Sequence, residues 1–207
     1  MKLINKSLFI ALSLSAISFY GFTGEAALYG ASAPSDAGFF RVINLDETKK
    51  ITLRDENGKS IADLLPGHGS PYAFLPEGRH HLKINEKDID LDLKKGEQLS
   101  FIWSSDAIKK ISDQPFKDKS KARVVLYNLT NNALDLTTKT GKTVVGNINS
   151  GQQAGRDVNA VTTALGIARN GSVVAATSPV SLQRGKVISL FAIDRGSPSV
   201  VVVESNR

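Results

Sequence analysis

The 207-residue chain has no cysteine, a single methionine and a single tryptophan. Without cysteine it can form no disulfide, no thiol nucleophile and no thiolate metal site, so its order must rest on packed apolar surface and paired strands. Only three histidines occur, His68, His80 and His81. The sequence carries no Gly-Xaa-Ser-Xaa-Gly elbow, Gly-Asp-Ser block, phosphate loop, dinucleotide fingerprint or zinc-ligand spacing. Amphipathic helical periodicity is missing as well. Beyond one stretch near the start, no apolar run approaches the roughly 20 residues that cross a bilayer. These gaps exclude thiol catalysis and the motif-bearing hydrolase, nucleotide and zinc classes. No catalytic, cofactor-binding or metal-binding residue is expected.

The early apolar stretch reads as a leader. Lys2 and Lys6 precede an apolar run over 8–22, after which the residues become small and polar. That layout is a cleavable signal peptide over 1–23, with the mature chain starting between Gly24 and Ala27 and spanning no membrane after cleavage.

Charge is unevenly divided in a chain of net charge +6. Residues 25–112 hold 12 basic and 14 acidic side chains, whereas 122–207 hold 9 basic and 4 acidic. A basic second half suits an anionic partner drawn by long-range attraction. Nucleic acid is not expected, because the chain is exported and no basic cluster is interleaved with aromatics. A polyanionic polysaccharide fits better, with Arg123, Lys139, Lys142, Arg156, Arg169, Arg184, Lys186 and Arg195 as candidate polymer-binding residues.

What is present is a β pattern written twice around residues 113–121. The run Phe39-Phe40-Arg41-Val42-Ile43-Asn44-Leu45 returns as Arg123-Val124-Val125-Leu126-Tyr127-Asn128-Leu129. Asn44 and Asn128 are 84 positions apart, Gly58 and Gly141 are 83 apart, and Gly96 and Gly185 are 89 apart. A near-constant spacing is what a duplicated domain leaves. The polar stretch 149–159 reads as the loop that accounts for the drift. Period-two alternation with turns at Asn57-Gly58 and Asn170-Gly171 predicts antiparallel strands. The expected fold is all-β: two tandem antiparallel β-sandwich domains of related pattern, 24–112 and 122–207, joined by the short linker 113–121. The apolar Val200-Val201-Val202-Val203 must be covered on both faces or paired.

Side chains that could carry chemistry have plainer readings. His68 lies in a Gly/Pro loop as ordinary polarity, and His80 and His81 adjoin on a strand and so face opposite ways. Asp88, Asp90 and Asp92 share one strand face, which could hold a hard cation but reads better as the solvated side of an edge strand. Trp103 and Tyr127 fall in strands and are expected in the core.

The block Glu25-Ala26-Ala27-Leu28-Tyr29-Gly30, Ala33-Pro34, the strand Arg41-Val42-Ile43-Asn44, the hinge Pro115-Phe116-Lys117-Asp118-Lys119 and the run from Arg123 to Leu129 resemble the AlgF family of alginate O-acetylation. The resemblance covers essentially the whole mature chain. It implies two β-sandwich domains and a non-catalytic periplasmic protein working with periplasmic and membrane-bound O-acetyltransferase components on exported polymannuronate. Two roles follow: an adaptor bridging those components, or a carbohydrate-binding module presenting the anionic polymer. For the first, Glu25, Leu28, Tyr29, Gly30 and Phe116 are the candidate partner-binding residues, with Phe116 either gripping a partner or docking between the domains.

Overall fold

The structure is a computed structural model that describes residues 33–206. The expected signal peptide and the residues Glu25, Leu28, Tyr29 and Gly30 lie outside the described residues. All of the regular structure described is β.

Eight strands form the first half: β1 (Ala37–Asn44), β2 (Ile51–Arg54), β3 (Ser60–Leu64), β4 (Ala73–Pro76), β5 (Gly78–Ile84), β6 (Lys87–Leu93), β7 (Gln98–Ser104) and β8 (Ala107–Ser112). The second half holds β9 (Ala122–Asn128), β10 (Leu134–Thr138), β11 (Thr143–Ile148), β12 (Gln153–Val158), β13 (Val161–Thr163), β14 (Leu165–Arg169), β15 (Ser172–Ala176), β16 (Val180–Leu182), β17 (Lys186–Asp194) and β18 (Pro198–Asn206). The first half pairs into sheets ordered β4-β1-β7-β8 and β3-β2-β5-β6. The second forms β12-β9-β17-β18 and β11-β10-β14-β15, with a ribbon β13-β16 added. Position for position, the two topologies are the same.

Each half contains one parallel pair. β1 runs beside β7 from Phe39 opposite Gln98 to Asn44 opposite Trp103, and β9 runs beside β17 from Arg123 opposite Val187 to Asn128 opposite Ala192. Local alternation cannot reveal this, because a parallel partner needs a long crossover and here the crossover is four or more antiparallel strands.

The drift in spacing does not arise at 149–159. Residues Gln153–Val158 are strand β12, laid antiparallel on β9. Its polar composition reflects an edge position with Arg156 and Asp157 exposed. Gly67 and Gly151 are still 84 apart and Asn85 and Asn170 are 85 apart, all four with positive φ. The offset reaches 89 only at Gly96 and Gly185. Between those points the single strand β6 is answered by two strands, β15 and β16, the latter pairing with β13.

Alternation sends side chains to three cores. Phe40 and Val42 of β1 meet Leu99, Phe101 and Trp103 of β7 inside the first sandwich. Val124 and Leu126 of β9 meet Ile188, Leu190 and Ala192 of β17 inside the second. The opposite faces of these four strands contribute Ile43, Ile102, Val125, Tyr127, Val187 and Phe191 to a third cluster shared by both halves. That is why β7 is buried along nearly its whole length: it sits between two cores. Val200 and Val202 pack on the second core, whereas Val201 and Val203 face the shared one, so this apolar run is covered on both sides.

The stacking is reciprocal. Gly69, which bridges to Ile43 beside β1, packs against Val203 of β18. The matching segment of the second copy lies against β8: Gln153 Nε2 donates to Ser112 O at 3.4 Å, and Gly151 lies beside the Lys109 ammonium. Exchanged contacts of this kind mark an interface between like units related by an approximate twofold axis.

Candidate functional site

At the centre of the shared interface is a buried polar ring. Arg41, fully buried, points out of the first sandwich, donating through Nε to Ser100 Oγ (2.8 Å) and through Nη2 to Tyr127 OH (2.8 Å) and Ser189 Oγ (3.0 Å). Asp113, the first residue of the linker, accepts from Ser100 Oγ (2.7 Å), Tyr72 OH (2.7 Å) and Tyr127 OH (2.6 Å). The guanidinium also lies 4.7 Å from the centre of the Tyr72 ring, and Tyr127 stacks on Phe191 with ring centres 4.6 Å apart. Burial raises the pKa of both tyrosines, and the Asp113 carboxylate adds to it, so both remain hydrogen donors. For Arg41, burial acts to lower the pKa, but Tyr127, Tyr72 and Asp113 together raise it, and the guanidinium stays charged. Neutralised and satisfied, the ring can fix how one half sits on the other. It has no exposed nucleophile to offer a substrate.

Where β1, β7, β9 and β17 end, the interface opens into two clefts. One, of about 380 Å³, is lined by Ile102, Ser104, Ile108, Lys109 and Ala107 from the first half and Leu129, Asn131, Ile193 and Asp194 from the second. The other, of about 350 Å³, is lined by Leu45, Asp46, Glu47, Ser104 and Ser105 from the first half and Ile193, Asp194 and Arg195 from the second. They share Ser104, Ile193 and Asp194. Under the repeat, Leu45 corresponds to Leu129, Glu47 to Asn131 and Ser104 to Ile193, so the clefts are one feature seen from its two sides. The first is lined about equally by apolar and polar side chains, a mixture that suits docking, whereas the second is mostly polar.

The residues singled out from sequence fall in different places. Phe116 is buried in the shared cluster, between the halves, with the Lys119 ammonium 5.0 Å from its ring centre. A ring so placed presents nothing to a partner. Four of the eight basic candidates are tied to carboxylates: Arg123 to Asp157 at 3.2 Å, Arg169 to Asp194 at 3.7 Å, Lys186 to Glu204 at 2.6 Å and Arg195 to Glu47 at 2.8 Å. Lys139, Lys142, Arg156 and Arg184 are exposed and have no carboxylate partner among the described residues. Lys139 and Lys142 flank the β10–β11 turn, and Arg156 Nη1 reaches Val144 O at 3.4 Å, so these cations share one edge of the second sandwich while Arg184 lies in the turn before β17.

The histidines have structural partners. His68 Nδ1 lies 2.9 Å from Pro66 O and His80 Nε2 lies 2.8 Å from Pro76 O. His81 Nδ1 lies 2.7 Å from Asp90 Oδ1, both exposed. In the β5–β6 ladder Asp88, Asp90 and Asp92 stand opposite Lys83, His81 and Arg79, so the acidic row is matched by a basic one. Among the described residues no group of three acidic or histidine side chains is placed to hold a metal ion. Trp103 and Tyr127 are buried.

No motif announces the Arg41 ring. Its one trace in the sequence is positional: Ser100 and Ser189 are 89 apart, the same offset as Gly96 and Gly185, and Arg41 interrupts an apolar run.

Residues 11–189 match the family model described as alginate O-acetyl transferase AlgF. The chain belongs to the AlgF family. Among AlgF relatives, the alginate biosynthesis protein AlgF of Pseudomonas fluorescens is 31% identical over 93% of this chain and 88% of its own length. That of Pseudomonas putida is 32% identical over 94% and 91%, and that of Pseudomonas aeruginosa 29% identical over 90% and 86%. A structure of the C-terminal domain of AlgF from P. aeruginosa is 31% identical, covering 41% of this chain and 98% of that one, with a TM-score of 0.36.

Proposed function

We propose that this protein is a non-catalytic periplasmic adaptor required for O-acetylation of exported alginate, bridging the acetyltransferase components that act on the polymer. The observation that carries the reading is the pair of β-sandwiches, locked through a buried ring and opening into two related clefts, in a chain of the AlgF family. A fused pair with matched surfaces can hold two partners at a fixed separation. Support for the absence of chemistry of its own comes from the histidines, each engaged by a carbonyl or carboxylate oxygen, and from Ser100, held inside the interface. The modules are residues 24–112 and 122–207, with 113–121 between them and 1–23 removed on export. The segment carrying Glu25, Leu28, Tyr29 and Gly30 is proposed as a protein contact.

Crosslinking in the periplasm followed by capture of the full chain tests this. The reading expects membrane-bound and periplasmic O-acetyltransferase components among the captured proteins, and loss of capture when residues 25–30 are deleted. Purified protein given a donor ester and oligomannuronate should show no acetyl transfer; turnover would overturn the reading.

The edge carrying Lys139, Lys142 and Arg156 favours a second role, in which the second half holds the anionic polymer. Titration with oligomannuronate decides it. A polymer site saturates and weakens as salt rises, because exposed charges are screened beyond about 8 Å at physiological ionic strength.

A further inference from the structure

The two clefts differ in one respect that assigns a ligand. In the smaller, Arg195 of the second half reaches into the first: Nη2 donates to Leu45 O at 2.7 Å and Nε lies 2.8 Å from Glu47 Oε1. The first half thus supplies a socket for a guanidinium, a backbone carbonyl with a carboxylate two residues on. The repeat places the same socket in the larger cleft, with Leu129 O in the place of Leu45 O and the Asn131 side chain in the place of Glu47. The residue that would fill it is Asp106, 89 positions before Arg195. Asp106 turns away instead, its carboxylate 2.8 Å from Lys49 and its carbonyl taking Lys87. No hydrogen bond to Leu129 O is found among the described residues.

We infer that the larger cleft is a docking socket for an arginine side chain presented by a partner protein. The floor of Ile102, Ile108, Leu129 and Ile193 suits the aliphatic stem of arginine, and the acceptors at its end suit the planar fork. Asn131 offers a neutral acceptor where Glu47 offers a charged one, so the contact is weaker than its internal twin and therefore reversible. Asp194 lines the cleft as well; its ion pair with Arg169, at 3.7 Å, is too long for a hydrogen bond, so its oxygens keep room to accept from a guanidinium. Lys109 opposes a cation, but its ammonium leans to the Gly151 side, 3.3 Å from where a Cβ there would stand. Arginine is among the residues that most often anchor protein interfaces. The choice of a protein occupant rests on the adaptor reading; the socket geometry does not.

Asn131 is exposed, so its variants should fold. The probe is N-acetyl-L-argininamide titrated into the full ¹⁵N-labelled chain. The expected result is shifted amide signals at Ser104, Lys109, Asn131 and Asp194, tightened by roughly fivefold in Asn131→Glu and abolished in Asn131→Lys. Equal response in the three proteins, or the same amides shifting with oligomannuronate and not with the arginine probe, overturns the inference. Periplasmic capture separates the two readings. If wild type and Asn131→Lys capture the acetylation components equally, the socket fails and the adaptor stands. If the probe binds as expected but wild type captures none, the adaptor fails and the arginine socket stands.

Discussion

Asn44 and Asn128 do the same work at the ends of β1 and β9. Asn44 Nδ2 donates to Lys49 O (2.8 Å) and Leu64 O (3.1 Å), and Asn128 Nδ2 donates to Asn132 O (2.7 Å) and Ile148 O (2.8 Å). Each side-chain oxygen accepts the amide two residues on, at 3.0 Å in both copies. Asparagine alone offers two donors and an acceptor in this space, since aspartate would set an oxygen against two carbonyls. Replacing either by alanine removes both donated bonds, one of them buried, together with the acceptor for the following turn, and should cost about 2–3 kcal/mol, read as a lower urea midpoint. An effect below about 1 kcal/mol would show that water replaces the amide. The tyrosines of the buried ring predict a different signature. Their pKa is raised in the folded protein above the usual value near 10. As pH climbs through 10, the unfolded chain therefore releases these protons first and folding stability falls. Thermal melting should drop steeply above about pH 10, and Tyr72→Phe should flatten that drop while lowering stability at neutral pH through the lost bond to Asp113. An unchanged alkaline slope in the variant would count against burial as the cause.

Most strands were legible because a half-buried strand writes its environment at period two, as in Ile89-Asp90-Leu91-Asp92-Leu93, with alternate residues buried. The turns were legible because Gly58, Asn170 and Gly171 need positive φ. Three things were hidden. The parallel pairing of β1 with β7 depends on a partner more than 50 residues away, which no local window contains. Strand β12 reads as a loop because Gly155 and the polar residues around it suit an edge; a Cβ on Gly155 would stand 2.7 Å from Val124 O, so glycine is there for close approach. The clefts were hidden because they join residues of one half to residues of the other: Asn131 and Arg195 stand out only once the twofold stacking is known. For the same reason, the list of basic candidates mixed ion-paired side chains such as Arg123 with unpaired ones such as Lys142, since pairing is a property of sheet register.

At the scale of the molecule the question is whether the halves behave as one body. Each has its own core, and a chain of separate modules on a free linker would melt in two steps. Here the linker begins at Asp113 inside the polar ring and passes Phe116 into the shared cluster, so separating the halves exposes apolar surface and strips Arg41 of Tyr127 and Ser189 and Asp113 of Tyr127. Removing one member of a buried charged pair costs about 3–5 kcal/mol, whereas removing both costs less than the sum. The protein should therefore unfold in a single calorimetric transition. Arg41→Ala should broaden or split it, because coupling between the halves is then left to the shared apolar cluster, while both sandwich cores, to which Arg41 does not belong, remain intact. Adding Asp113→Ala to that variant should recover part of the lost stability by removing the stranded carboxylate. Two transitions in the wild-type protein would mean that the halves melt independently, and the fixed separation on which an adaptor depends would then have to come from its partners.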